Sequence, residues 1–222
     1  MSAVVEVSVG RLVDAARELA ADGRRRILGI TGAPGAGKST LAREIADALG
    51  ERAALVGLDG FHLSNAELHR LGRHARKGAA DTFDAAGYTN LLHRLRPQHD
   101  DIVYAAEFDR GLEESIACAV AVHRAVPLII TEGNYLLVDD DRWGGVAGLL
   151  DQSWYVEPGE GVRLERLVER HIRFGRSPEE AAERSYGSDQ RNAGLIEGTR
   201  HRAGLVVRVT AAGTGPRPPA AP

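Results

Sequence analysis

The sequence predicts a three-layer α/β domain, a mostly parallel sheet between helices with an arginine-bearing helical lid, on three observations. Short aliphatic runs alternate with helical patterns, a glycine-rich loop joins one such run to a helix, and four arginines recur along one later helix face. The runs cover 27–31, 53–58, 128–131, 153–156 and 205–209. Their brevity and nearly unbroken aliphatic character suit strands buried on both faces of a parallel sheet. After Lys38, Leu41, Ile45 and Leu49 return at every fourth position, and Gly50 can cap the helix they imply. Over 116–122, the alternation of Ile116, Cys118, Val120 and Val122 favours a strand, although the alanines between them also suit a helix. From Gly161, the residues Leu164, Leu167, Val168 and Ile172 form an apolar stripe that ends at Gly175. Next comes Ser177-Pro178-Glu179-Glu180, an N-cap serine, a proline at the first helical position and a glutamate completing a capping box. Trp143 and Trp154 are read as core residues.

The 222 residues suit one domain, placed at 1–210, followed by a 211–222 tail (AAGTGPRPPAAP) with little to bury and therefore expected to be disordered. Hydrophobic residues make up 43% and charged residues 27%, an ordinary globular composition. A formal net charge of −3 supplies no global field for nucleic acid or an anionic membrane, so neither is an expected partner. Anion chemistry must come from local clusters. Cys118 is the single cysteine and is expected to be a small core residue in a reducing compartment. No apolar run reaches the roughly 18 residues of a membrane span, and the N-terminus shows no signal-peptide pattern. A cytoplasmic location is the expectation.

The sharpest local signal is GAPGAGKST over 32–40, which satisfies the phosphate-loop pattern through Gly32, Gly37, Lys38 and Ser39 and sits between a strand and a helix. It marks the domain as a P-loop NTPase fold. Glycines let backbone N–H groups converge on phosphate oxygens, and the following helix points its positive end at the same anion. The nucleotide-binding set is therefore Gly32, Gly35, Ala36, Gly37, Lys38, Ser39 and Thr40. Lys38 places charge on the transferring phosphates, and the Ser39 hydroxyl can ligate Mg²⁺. A guanine-reading Asn-Lys-x-Asp string and an LSGGQ-like transporter signature are both absent. Glu132 closes the run at 128–131 and becomes the second Mg²⁺-side candidate. Asp59 follows the run at 53–58, and ligands of open α/β sheets bind at carboxyl strand ends. It can serve as base toward an acceptor hydroxyl, as a further metal-side ligand, or as a structural acid.

In order along the chain, GAPGAGKST, LDGFHLSN, RKGAADTFDAAGY, FDR, TEGNYLL and RHIRFG resemble a family of P-loop small-molecule kinases. That family includes uridine kinase, phosphoribulokinase and bacterial pantothenate kinase. The nearest likeness is to uridine-kinase-like proteins known as nucleoside/nucleotide kinases or sugar-transport-associated kinases. The resemblance spans 27–207, and its DGFHLSN and RKG-x-x-DTFD elements are more specific than the loop. It implies that Asp59 is the catalytic base, that Glu132 is the glutamate of the E-G element, and that Arg170 and Arg173 belong to a lid over ATP. It also implies acceptor contacts from Tyr104, Arg110 and Asn192. Arg110 stands where pantothenate kinases tend to have histidine, and Arg170-His171 replaces an Arg-Asp pair common in uridine kinases.

Arg163, Arg166, Arg170 and Arg173 share one helix face, and most are read as solvated partners of Glu165 and Glu169. Arg73, Arg76 and Lys77 form a basic cluster, a solvated turn or an anchor for the acceptor; Lys77 and His62 join the acceptor set. The expected function is ATP- and Mg²⁺-dependent transfer of a phosphoryl group to a hydroxyl of a small metabolite, a neutral or weakly charged sugar or nucleoside. The alternatives are a nucleoside monophosphate kinase and a non-catalytic nucleotide-dependent regulator. The identity of the acceptor, the nucleotide preference and the oligomeric state, a homodimer included, are left open by the sequence.

Overall fold

The structure is a computed structural model and describes residues 3–210. The tail at 211–222, expected to be disordered, lies outside the described residues. Six strands form one sheet: β1 (Val4–Ser8), β2 (Arg26–Thr31), β3 (Ala53–Gly57), β6 (Leu128–Glu132), β7 (Gln152–Val156) and β8 (Leu205–Thr210). Their order is β1-β8-β7-β2-β6-β3 and every pairing is parallel. Two further strands, β4 (Ile102–Asp109) and β5 (Glu114–His123), form a separate antiparallel ribbon. The helices are α1 (Val9–Leu19), α2 (Lys38–Leu49), α3 (Asn65–Arg70), α4 (Ala85–Leu95), α5 (Glu160–Arg173), α6 (Pro178–Tyr186) and α7 (Ser188–Glu197). Among the described residues no helix is long and apolar enough to cross a membrane.

Each central strand feeds two cores, because neighbouring side chains on a strand leave opposite faces of the sheet. Leu28, Ile30, Leu128, Ile130, Trp154 and Val207 pack with Leu12 and Ala16 of α1 and with Leu41 and Ile45 of α2. Ile27, Ile129, Tyr155 and Val206 pack on the other side with Tyr88, Leu91 and Leu92 of α4 and with Trp143. Trp143 and Trp154 are fully buried, as expected. This double burial explains why these strands read as unbroken aliphatic runs.

Several elements differ from the sequence expectations. The segment 116–122 is a strand, but β5 is irregular: Ala105 faces Val120 whereas Glu107 faces Ile116, so residues 117–119 bulge. Cys118 sits in that bulge with φ +58 and is exposed, not a core residue. The ribbon packs on the main core through Val103, Ala105 and Val122, with Val120 partly buried beside them, and the bulge lets the strand turn its small residues to solvent. The apolar stripe of α5 is also mostly not core. Ile172 is exposed and only Leu167 is buried, while Arg163 on the same helix is buried. The face of α5 turned inward meets the phosphate loop rather than the sheet, and a loop of carbonyls favours a donor-rich side chain there. The capping box of α6 is present, with Ser177 accepting from the Glu180 N–H and Glu180 accepting from the Ser177 N–H.

Candidate functional site

The carboxyl ends of β2, β3 and β6 meet at a cleft of about 390 Å³. The loop leaving β2 turns into α2, whose first residue, Lys38, is buried and sends its Nζ back to the Ala33 carbonyl at 3.2 Å. The register of β3 on β6 sets Gly57 opposite Glu132, so Asp59, in the 3-10 turn Leu58–Phe61, stands beside that glutamate. Gly60 in the turn packs on the ribbon; a Cβ there would lie 2.3 Å from the Ala106 carbonyl oxygen. A buried chain lies beneath: Tyr88 OH donates to Thr131 Oγ1 at 2.6 Å, and Thr131 Oγ1 donates to the Val56 carbonyl at 2.6 Å. It fixes the ends of β3 and β6 against each other.

Ser39 Oγ donates to Glu132 Oε1 at 3.1 Å, and Arg110 Nη2 lies 3.3 Å from Asp59 Oδ2. Burial pushes the Glu132 carboxyl upward, with the Asp59 charge adding to the effect and Lys38 opposing it. Burial brings Lys38 down to about 8, against the pull of Glu132 and Asp59. Arg170 is lowered first by burial and then by Arg110. These cations crowd a partly dry cleft, which is the electrostatic signature of a site made for anions.

The far end of the cleft lies between the ribbon, the 3-10 turn and the lid helices. His62 donates from Nδ1 to the Asp59 carbonyl at 2.8 Å, and its ring lies 4.0 Å from Phe83 and 4.8 Å from Phe108 between centroids. Burial lowers its pKa, against the pull of Asp59. Lys77 Nζ donates to Asn65 Oδ1 at 2.7 Å and to the Glu113 carbonyl, and lies 5.0 Å from the centre of the Phe108 ring. Arg184 of α6 donates to the Lys77 carbonyl, and Asn192 of α7 to the Gly78 carbonyl. His171 Nε2 meets Asp189 Oδ2 at 2.7 Å and joins α5 to α7.

Of the expected site residues, Lys38, Ser39, Asp59, His62, Lys77, Arg110, Glu132, Arg170 and Asn192 all line this one cleft. Gly32, Gly35, Ala36, Gly37 and Thr40 complete the loop around it. Two do not belong to it. Tyr104 is 52% exposed, because its position in β4 points outward from the ribbon. Arg173, the last residue of α5, is exposed and outside the cleft lining, although Arg170, Phe174 and Arg176 around it belong to that lining. Arg73 and Arg76 are tied to Asp81, leaving Lys77 as the member of that basic cluster in the cleft. Asn65, Phe108, Glu113, Arg176, Arg184 and Asp189 also line it and were not anticipated. They come from α3, from the β4–β5 ribbon and from the stretch 176–189, and no spacing in the chain joins these three regions.

A glycine-rich loop between a central parallel strand and its helix, with two carboxylates at the ends of adjoining strands, defines a P-loop kinase. Comparison with known proteins places it further. The model of the phosphoribulokinase/uridine kinase family matches residues 27–212, and the chain belongs to that family. A Schizosaccharomyces pombe protein named as a candidate uridine kinase is 32% identical over 201 residues, covering 86% of each chain. A crystal structure described as a candidate fructose transport system kinase from Silicibacter sp. TM1040 superposes with a TM-score of 0.81 at 36% identity, covering 90% of this chain and 98% of the other. YFH7 from Saccharomyces cerevisiae, at 17% identity and a TM-score of 0.78 over 91% of this chain and 99% of that one, shares the fold.

Proposed function

We propose that the chain transfers the γ-phosphoryl group of ATP to a hydroxyl of a small polyhydroxy metabolite, a sugar or nucleoside. The observation that carries this reading is the convergence of Lys38 and Ser39 with Asp59 and Glu132 in a single cleft whose far wall is polar. The acceptor oxygen forms the new P–O bond, the bond from the γ-phosphorus to the ADP oxygen breaks, and the hydroxyl proton passes to Asp59. Asp59 must first leave Arg110, which is then free to meet the transferring charge. Lys38 and Arg170 hold the phosphates in line and neutralise them. The Ser39 hydroxyl and the Glu132 carboxylate, already 3.1 Å apart at the loop, are hard oxygen donors that suit Mg²⁺, an ion that keeps several of its waters. When bound there, Mg²⁺ neutralises charge on the phosphate oxygens.

Asn65, Lys77, Arg110 and Asn192 offer amide and cationic donors to ring hydroxyls, and Phe108 offers an apolar face. A second reading, a sugar phosphate, is favoured by Arg176 and Arg184 in the same wall. A nucleoside monophosphate is less well served, because Asp59 would face a phosphate instead of a hydroxyl. The test is ADP release over a panel of sugars, nucleosides, pantothenate and ribulose phosphate, with Asp59→Asn as control. Turnover on a neutral alcohol that Asp59→Asn removes supports the first reading. Turnover confined to phosphorylated or carboxylated acceptors replaces it, and no turnover on any alcohol leaves the nucleotide-dependent regulator.

A further inference from the structure

Arg163 is a charged residue with 3% of its surface exposed, on the first turn of α5 behind the phosphate loop. Its Nη1 donates to the Pro34 carbonyl at 3.2 Å, and its Nη2 donates to Gln190 Oε1 on α7. Its Nε is buried without an acceptor among the described residues. Gln190 is steadied in turn by Glu160, whose carboxylate lies 3.9 Å from Arg163 and is itself mostly exposed. A buried guanidinium with one donor unsatisfied is a poor choice for packing alone, since an apolar side chain of similar volume fills such a space at lower cost.

The peptide between Pro34 and Gly35 is trans, so its C=O and N–H point in opposite directions. Arg163 draws the carbonyl toward α5. The Gly35 N–H is thereby turned away from α5, and it has no hydrogen-bond acceptor among the described residues. The neighbouring Ala36 N–H is already taken by the Ala33 carbonyl at 3.0 Å. Gly35 has φ +83, and a Cβ there would lie 2.5 Å from the Arg163 carbonyl oxygen, so the loop and α5 are in backbone contact at this point.

We propose that Arg163 is a positioning residue for the nucleotide, acting through the backbone of the phosphate loop. Its charged hydrogen bond locks and polarises the Pro34–Gly35 peptide, so that the Gly35 N–H is presented to a phosphate oxygen before ATP arrives. A preset donor binds an anion without reorganisation and is worth more in a low-dielectric site than in water. The same side chain fastens α5, which carries Arg170 two turns further on, to the loop that Arg170 must serve. The proposal rests on the reading of 32–40 as the phosphate site.

The experiment compares Arg163→Met, Arg163→Lys and Lys38→Ala with wild type. It reads Mg²⁺-ATP affinity by calorimetry, kcat and KM for each substrate, and the Gly35 amide resonance by ¹⁵N NMR with and without nucleotide. Arg163→Met keeps the stem and removes the donors. It should bind ATP about tenfold more weakly or worse, leave the acceptor KM unchanged, and shift the Gly35 resonance in the nucleotide-free protein. Arg163→Lys, with one charged donor, should recover part of each. Wild-type ATP affinity and an unmoved Gly35 resonance in Arg163→Met, alongside a clear loss in Lys38→Ala, would overturn the proposal alone. Equal losses in the Met and Lys variants that follow a fall in Tm would reduce Arg163 to scaffold. Undiminished ATP affinity in Lys38→Ala would sink the phosphate-loop reading and this proposal with it. If Arg163→Met does not fold, Arg163→Lys and Gln190→Met carry the same readouts.

Discussion

At the scale of single residues, the cleft sets opposite charges against each other and waits for a ligand to rearrange them. Asp59 is held by Arg110 at 3.3 Å, so the proposed base is masked by a cation that an acceptor must displace. Asp59→Asn should lower kcat by about 10²–10⁴-fold, the usual share of a general base. Nucleotide affinity should survive, because the role concerns the acceptor. Collapse of ATP affinity with turnover retained would make Asp59 a metal-side residue instead. Lys38 supports a test by pH. Burial lowers it from 10.5 to about 8, whereas bound phosphates favour its charged form and raise it again. Between those two values the free protein lacks a proton that the complex holds. Binding of Mg²⁺-free ATP at about pH 9 should therefore take up a proton, visible as a binding heat that depends on the buffer. The unfolded chain also holds more protons than the folded one across this window, so the nucleotide-free protein gains stability as pH rises through it. A buffer-independent heat would show that Lys38 is not the group that titrates.

At the scale of elements, strand register and helix caps carry the site. The β3–β6 register brings Asp59 and Glu132 together, although 73 positions of sequence separate them. The lid depends on short helices, and α6 starts on a reciprocal cap between Ser177 and Glu180. Ser177→Ala should cost about 1 kcal/mol. The loss should be local, appearing as faster hydrogen exchange in 178–186, while the exchange of β2 and β6 stays unchanged. This cap was legible because all of its parts lie within four consecutive residues. The arginine face of α5 was legible only as a face. Its spacing shows that Arg163 and Arg170 align, but not that the loop lies against them, so a buried guanidinium was read as a solvated one. Tyr104, which the resemblance put forward, falls outside the cleft lining for a related reason: the sequence around it does not reveal which side of the ribbon meets the cleft.

At the scale of the whole molecule, the parallel sheet supplies the floor of the cleft and the flanking segments supply its walls. A ligand that binds only the folded state stabilises it by mass action. Mg²⁺-ATP at about a hundred times its Kd should add about 2.7 kcal/mol. For a chain of this size that corresponds to a rise of about 5–10 °C in Tm. The rise should vanish in Lys38→Ala, and a rise of the same size in that variant would remove Lys38 from the nucleotide site.

What the sequence determined by itself was local or periodic. The five aliphatic runs became β2, β3, β6, β7 and β8, and the motif at 32–40 follows β2 and runs into the first turn of α2. In both cases the signal sits in neighbouring residues whose backbone geometry demands particular side chains. β1 was missed because it is an edge strand pairing only with β8, so it is half-exposed and carries Glu6 among its valines. The tertiary structure alone decided what depends on packing between distant segments. It brought Asn65, Phe108, Arg176 and Arg184 to the wall of the cleft, turned Tyr104 and Cys118 outward, and buried Arg163 behind the phosphate loop. Burial and orientation depend on how strands and helices dock on one another, and no spacing along one chain encodes that contact.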